Sequence, residues 1–441
     1  MGAAKRKAAD LVAKLCSKSA VSRDDIIEQL IELGDDAVPP LVKALAHTDY
    51  RMRVAAAMAL GRVASETAIE PLIATLADSS KNAQEAAAEA LTHIGEPAVG
   101  ALLDALIGKE QAARRWAAEA LGNIGDESVA QQLIARLNDA NVEVQRAVVT
   151  ALGDLKSADA IRPLIGVLVS DNVELARAAA EALGKIRGTF AVQPLVAALS
   201  SPSEDVRRAA ASSLAQIGTR AVPALLKTLE HENYIVRRYG AEILGEIRDA
   251  RGQEALVKAL HDDNDRVVHY AAVALGRIRK PESIPHLVKL LKHSRETVRC
   301  AAVQGLAAIG GPEVAKHLAK MLDDRDWVTR LTAAKGLGTV KEKSVIKPLV
   351  KALQDTEWSV RLHAALSLGM TGAVKEAVPA LAKMMSDPKP AVRRGACEAL
   401  GQLGDKSAVE ILRPMLKDDD ERTADSARAA LVRLGAIAPS P

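Results

Sequence analysis

A leucine recurs about every 31 residues from one end of the chain to the other: Leu30, Leu60, Leu91, Leu121, Leu152, Leu183, Leu214, Leu244, Leu275, Leu306, Leu337, Leu368, Leu400 and Leu431. Neighbouring positions keep the same time. Three residues later stands an aliphatic side chain (Val63, Ile94, Ile124, Leu155, Ile186). Four residues earlier stands a small one (Ala56, Ala87, Ala117, Ala179, Gly240), and eight earlier a branched one (Val206, Val236, Val267, Val298, Val360). These offsets fall on one face of an α-helix, so each period is predicted to hold one amphipathic helix. A shorter apolar segment precedes it, usually opened by proline, as in Pro40-Leu41, Pro71-Leu72, Pro163-Leu164 and Pro348-Leu349. Proline in a first turn forfeits only an amide that had no helical partner, so this segment is predicted to be a first, shorter helix. Polar turns such as Asp78-Ser79-Ser80 join the two, and Gly95, Gly125, Gly218, Gly310 and Gly404 are expected as left-handed stops after the second. No stretch alternates with period two, and no strand is predicted.

Helix pairs at a fixed period bury their apolar faces against neighbouring copies and do not need a single compact core. The fold class read from this pattern is all-α: a right-handed α-solenoid of about 14 stacked helix pairs. Aromatic residues make up only 2% of the 441 residues, which suits thin, alanine-lined helices and would starve a globular core of bulk. A chain of this length would ordinarily split into two or three domains, but the period never breaks. The expected organisation is therefore one continuous solenoid over residues 1–435. Residues 1–34 and 405–435 are read as its capping repeats and 436–441 as a flexible tail. The charge run Asp418-Asp419-Asp420-Glu421-Arg422, standing where other copies are apolar or small, is the signal for the second cap.

The block Asp326-Trp-Val-Thr-Arg-Leu-Thr-Ala-Ala-Lys-Gly-Leu-Gly338 and counterparts such as Val206-Arg207-Arg208-Ala209-Ala210-Ala211 resemble the HEAT-like repeat, specifically the short type first noted in phycobilisome lyase subunits. The resemblance spans roughly residues 22 to 435. It implies the fold and leaves the function open, because bilin lyase subunits, a di-iron hydroxylase, DNA glycosylases and many adaptors share the repeat. It also implies a structural role for the arginines seven before the leucine (Arg53, Arg114, Arg207, Arg237, Arg299, Arg330, Arg361, Arg393), with an aspartate six earlier in three of them (Asp324, Asp355, Asp387). In the family such pairs form a ladder between repeats.

Catalytic signals are missing. The di-iron members resembled here carry His-Glu pairs within helices, and His231-Glu232 falls in a turn. No HExxH, GxxxxGK[ST] or GxSxG occurs. Cys16, Cys300 and Cys397 are too far apart for a CxxC site or a disulfide framework, which fits a reducing, cytoplasmic setting. No cofactor or metal is expected. Neither a secretory signal nor a membrane span is read. A net charge of +3 demands no polyanionic partner.

Two exposed columns remain as candidate sites. Six before the leucine, Arg115, Arg146, Arg177, Arg208 and Arg238 form a stripe that could follow a phosphate backbone. Glu119, Glu181 and Glu242 four residues on, and Glu143, Glu174 and Asp205 three before, are spaced to neutralise it, so nucleic acid is the weaker expectation. Farther along, the same face turns apolar: Tyr239, Tyr270, Cys300, Trp327, Leu331, Trp358, Leu362, Leu366 and Met370 stand at positions the helical period places off the core. Exposed apolar patches with Trp and Tyr mark partner sites. The reading is a non-catalytic scaffold or regulatory subunit that takes a segment of another protein on its inner face. A tetrapyrrole or bilin lyase-like enzyme subunit is the alternative from another class, and a nucleic-acid binder using the arginine stripe is the third.

Overall fold

The computed structural model describes residues 3–15, 23–340 and 342–438. Cys16, part of the expected N-terminal cap and the end of the expected tail lie outside the described residues. The described chain holds 28 α-helices and no strand, and it divides into two compact units, residues 1–221 and 222–441. In each unit a short helix, such as Ile69–Thr75 or Ile284–Leu290, alternates with a longer one, such as Lys81–Ile94 or Glu296–Ile309. Within each unit, each long helix packs along the long helix of the next repeat, which is the stacking of an α-solenoid.

All fourteen period leucines are fully buried. The small residue four before packs with them: Ala56, Ala87, Ala117 and Ala271 are also fully buried. The aliphatic residue three after is covered less completely, since Val63, Ile94 and Ile124 keep part of their surface in solvent. A further column underlies the close approach. The residue directly after the leucine is glycine in most repeats, and a Cβ built on Gly122 would lie 2.6 Å from Cα of Ala151 in the next long helix. Backbones this close need a glycine facing an alanine, which is why the chain is rich in both.

The helix starts obey ordinary capping chemistry. Asp49, Asn141, Asn172, Asn233, Asn264 and Asp326 each sit in extended backbone and accept from amides of the first turn. The helix ends differ from expectation. Gly125 and Gly404 are left-handed stops, but Gly95, Gly218 and Gly310 combine positive φ with ψ of −138°, −137° and −173°, an extended region reserved for glycine. The left-handed stop is made instead in five repeats by Ala64, Lys156, Arg187, Arg248 and Arg279, with φ between 54° and 60°. In four of them the amide at that position returns to the period leucine's carbonyl, as from Ala64 to Leu60 at 3.0 Å, and this closing bond offsets the side chain's steric cost.

Candidate functional site

The arginine column seven before the leucine builds the turns. Arg330 donates from Nε and Nη2 to the two carboxylate oxygens of Asp355 at 2.7 and 3.0 Å, and from Nη1 to the Asp324 carbonyl at 3.0 Å. Asp355 Oδ1 also accepts the Glu357 amide at 2.8 Å, which opens the next long helix. The same fork joins Arg53 to Asp78, Arg114 to Asp139, Arg237 to Asp262, Arg299 to Asp324, Arg361 to Asp387 and Arg393 to Asp418. Each of these seven arginines thus grips the carboxylate of the following repeat, and only the backbone carbonyls of its own turn, whereas Arg207, the eighth of the column, donates to the Ser201 and Pro202 carbonyls and its buried Nε has no partner among the described residues. Burial alone would raise the Asp355 carboxyl; the Arg330 guanidinium and the Glu357 amide outweigh it and hold the group below the ordinary carboxylate range. Asp387 is held down in the same way by Arg361 and the Lys389 amide. This column is structural.

The basic stripe is mostly spent on neighbours. Arg146 pairs with Glu143 at 2.7 Å, Arg177 with Glu174 and Glu181 at 3.1 and 2.7 Å, and Arg208 with Glu204, in place of the expected Asp205, at 2.5 Å. Arg115 lies over the ring of Trp116, 4.5 Å from its centroid, where pairing with Glu119 was expected. Arg238 lies 3.9 Å from the Tyr239 centroid and 5.2 Å from that of Tyr270.

That stacking corrects the apolar set. Tyr239 is only 3% exposed, with the Arg238 guanidinium stacked over its ring, and is no open anchor. Cys300 is 7% exposed: a side chain this small disappears under Thr329 and Thr332 of the next long helix, whose hydroxyls lie 3.5 and 3.7 Å from its sulfur. Tyr270 is half-buried, edge-on to His269. The remaining residues come together on two adjacent long helices, Trp327–Thr339 and Trp358–Met370. Trp327 and Trp358 are 44% and 40% exposed, Met370 is 55% exposed, and Leu331, Leu362 and Leu366 are half-buried between them. Leu362 rests against Gly395, where a Cβ would lie 2.3 Å from its Cδ1. Met370 overhangs a cleft of about 910 Å³ that Gly338, Val340, Ile346 and Ala373 also line. His363, beside Leu362, is kept neutral by burial and by the charge of Lys335, its pKa falling below the usual imidazole value.

The two tryptophans belong to a longer row that sequence reasoning missed. Each is the first residue of its long helix, and the same first position exposes Tyr50, Val142, Val173 and Tyr234 in other repeats. The signal was available: all six occur ten residues before a period leucine. Among the described residues no group of three or more His, Cys, Asp or Glu side chains is placed to hold a metal ion, and no helix is long and apolar enough to cross a membrane.

The model of HEAT repeats matches seven overlapping stretches: 8–91, 69–142, 130–199, 192–275, 266–333, 315–377 and 372–432. No curated protein matches the sequence. Among solved structures, importin beta is 14% identical with a TM-score of 0.58, over 98% of this chain and 74% of that one. Yeast importin-beta, Kap95p, is 15% identical with a TM-score of 0.60, over 97% and 70%. The Kap95:Nup1 complex gives 14% identity and a TM-score of 0.64 over the same shares. Identities this low speak for the fold alone. Nothing in these matches distinguishes the phycobilisome-lyase type of repeat from other HEAT repeats.

Proposed function

Because the chain belongs to the HEAT-repeat family, we propose that it is a non-catalytic protein-binding scaffold whose apolar face on the long helices Trp327–Thr339 and Trp358–Met370 takes a segment of a partner protein. The observation that carries this is the exposure of Trp327, Trp358 and Met370 on two adjacent long helices that also carry half-buried Leu331, Leu362 and Leu366. Two exposed tryptophans, in a chain that has three in all, keep large apolar surface in water at a cost that folding alone does not reward. The helices beneath are fixed by their glycine–alanine contacts and by the arginine–aspartate forks, so the face is preorganised. A solenoid of the same fold is recorded in complex with a protein, Nup1, which is a precedent for this use of the architecture.

The test is capture from the native cell with the full chain as bait. The partner is then titrated against Trp327→Ala/Leu362→Ala and against Arg146→Glu/Arg208→Glu. The first pair should weaken binding thirtyfold or more, on the order of 2 kcal/mol, with little change in melting temperature. The second should change rates and salt dependence more than affinity. Unchanged binding in the first pair together with loss in the second would reject the apolar face and move the site to the arginine stripe.

A further inference from the structure

The short helices of residues 222–441 carry a feature that the partner face does not use. Lys227, Lys258, Lys289, Lys320, Lys351 and Lys383 occupy one register, two residues after the buried leucine of six consecutive short helices, Lys383 just past the end of its helix, and all six are exposed. In residues 1–221 the same register reads Lys43, Ala74, Asp104, Ala135, Gly166 and Ala197. Solubility does not require the row, since the first unit is built on the same repeat without it. Charge follows suit: residues 222–441 hold 35 Lys and Arg against 28 Asp and Glu, and residues 1–221 hold 24 against 28. The row is densest at its centre, where Lys292, Lys316 and Lys347 are also exposed.

Unlike the arginine stripe, this row is largely unneutralised. Lys258 pairs with Glu254 and Lys351 with Asp323, while Lys227, Lys289, Lys320 and Lys383 form no ion pair among the described residues. The nearby carboxylates Asp324 and Asp355 are held by Arg299 and Arg330.

We propose that this lysine row is a second docking surface, separate from the tryptophan face, for an extended acidic polypeptide segment. Stacked helices lie about 8 to 10 Å apart, and an extended chain in the polyproline II conformation advances about 3.1 Å per residue with three residues per turn, so every third side chain of such a segment falls on one face and meets one lysine. A nucleic-acid duplex brings its phosphates to one side at the unequal spacing of its two grooves, which an evenly spaced row does not match. Single strands call for aromatic platforms, and the short helices of this unit contain no Phe, Trp or Tyr. Lysine without arginine supplies point charge and not the planar fork that recognises phosphate.

The probe is a fluorescein-labelled hexadecaglutamate peptide, read by fluorescence anisotropy with the full chain at about 50 mM and about 300 mM salt. Binding should be present at the lower salt and weaken steeply at the higher. Lys289→Glu/Lys320→Glu/Lys351→Glu should raise Kd about tenfold or more. Lys289→Gln/Lys320→Gln/Lys351→Gln should give a smaller loss in the same direction, with circular dichroism unchanged. The control Lys43→Glu/Lys81→Glu/Lys109→Glu carries the same change in net charge and should stay within about twofold. Trp327→Ala/Leu362→Ala should leave peptide binding intact, which separates this proposal from the previous one. The proposal is overturned by absence of binding at low salt, by an equal loss in the control, or by tighter binding of a 16-base-pair duplex or phosphatidylserine vesicles through the same lysines.

Discussion

Arg330→Met probes whether the arginine–aspartate forks hold the stack together. Methionine keeps the apolar stem and removes three donors: two to Asp355 at 2.7 and 3.0 Å and one to the Asp324 carbonyl at 3.0 Å. Asp355 is left with one amide bond, from Glu357, in a site where its side chain is 9% exposed. Breaking a buried pair by removing one partner costs roughly 3 to 5 kcal/mol. With Arg330 itself 15% exposed, the expected loss is about 2 to 4 kcal/mol. Urea denaturation read by circular dichroism measures it.

The sign of the pH dependence is specific. In the parent, Asp355 has a folded-state pKa below its unfolded value, so its contribution is present above the unfolded value and is lost as pH falls through the folded one. In the variant, burial without the guanidinium pushes the carboxyl the other way, and protonation relieves the penalty. The stability gap should therefore be widest near pH 7 and narrow toward about pH 3. Arg330→Met/Asp355→Asn should recover most of the loss, because the amide oxygen still accepts from Glu357 and no charge is stranded. A gap below about 1 kcal/mol at pH 7, or one that does not change down to pH 3, would refute the reasoning.

Gly240→Val should lower stability by about 1 to 3 kcal/mol, since a Cβ there would stand 2.0 Å from the Thr228 hydroxyl of the preceding short helix. Adding Thr228→Ala should recover much of this in the same denaturation assay, whereas no recovery would locate the crowding at Leu229, whose Cδ2 would lie 3.5 Å from the added Cβ. Burial pushes the Cys397 thiol up to about 12. Peptide mapping after iodoacetamide treatment at pH 8 should find it unmodified in the folded protein and labelled in urea.

The period leucines, the alanines four before them and the helix starts were legible because each is a local requirement repeated in every copy. The forks were only half legible. The resemblance implies a ladder between repeats, but the spacing places Asp324 six residues before Arg330 without saying which arginine it serves: Asp324 takes Arg299, and Arg330 reaches forward to Asp355. A pattern read within one copy does not reveal that its partner lies 25 residues ahead. Tyr239 and Cys300 were misjudged for a different reason. Helical periodicity reports the direction of a side chain, whereas burial here depends on size and on what is laid over it: Arg238 of the same helix over Tyr239, and Thr329 of the next long helix over Cys300.

The columns that make the fold easy to read are the ones least able to carry specificity. Stacking fills the leucine and its small neighbours in almost every repeat, and the glycine after it in most, so those positions are spent on the solenoid itself. The positions that stacking leaves least constrained, and on which both proposals rest, are the first residue of the long helix, those six and two before the leucine, and the outer register of the short helix. No packing rule dictates these in a single copy. A function there is visible only as a run that breaks composition across consecutive repeats: tryptophan at 327 and 358, leucine at 331 and 362, lysine at six short helices in succession. Runs of this kind distinguish residues 222–441 from residues 1–221, whose exposed arginines are already answered by glutamates one turn away. It follows that exchanging one repeat for another of the same chain should preserve stability far better than binding, because neighbours recognise each other through the shared columns and a partner reads only the others.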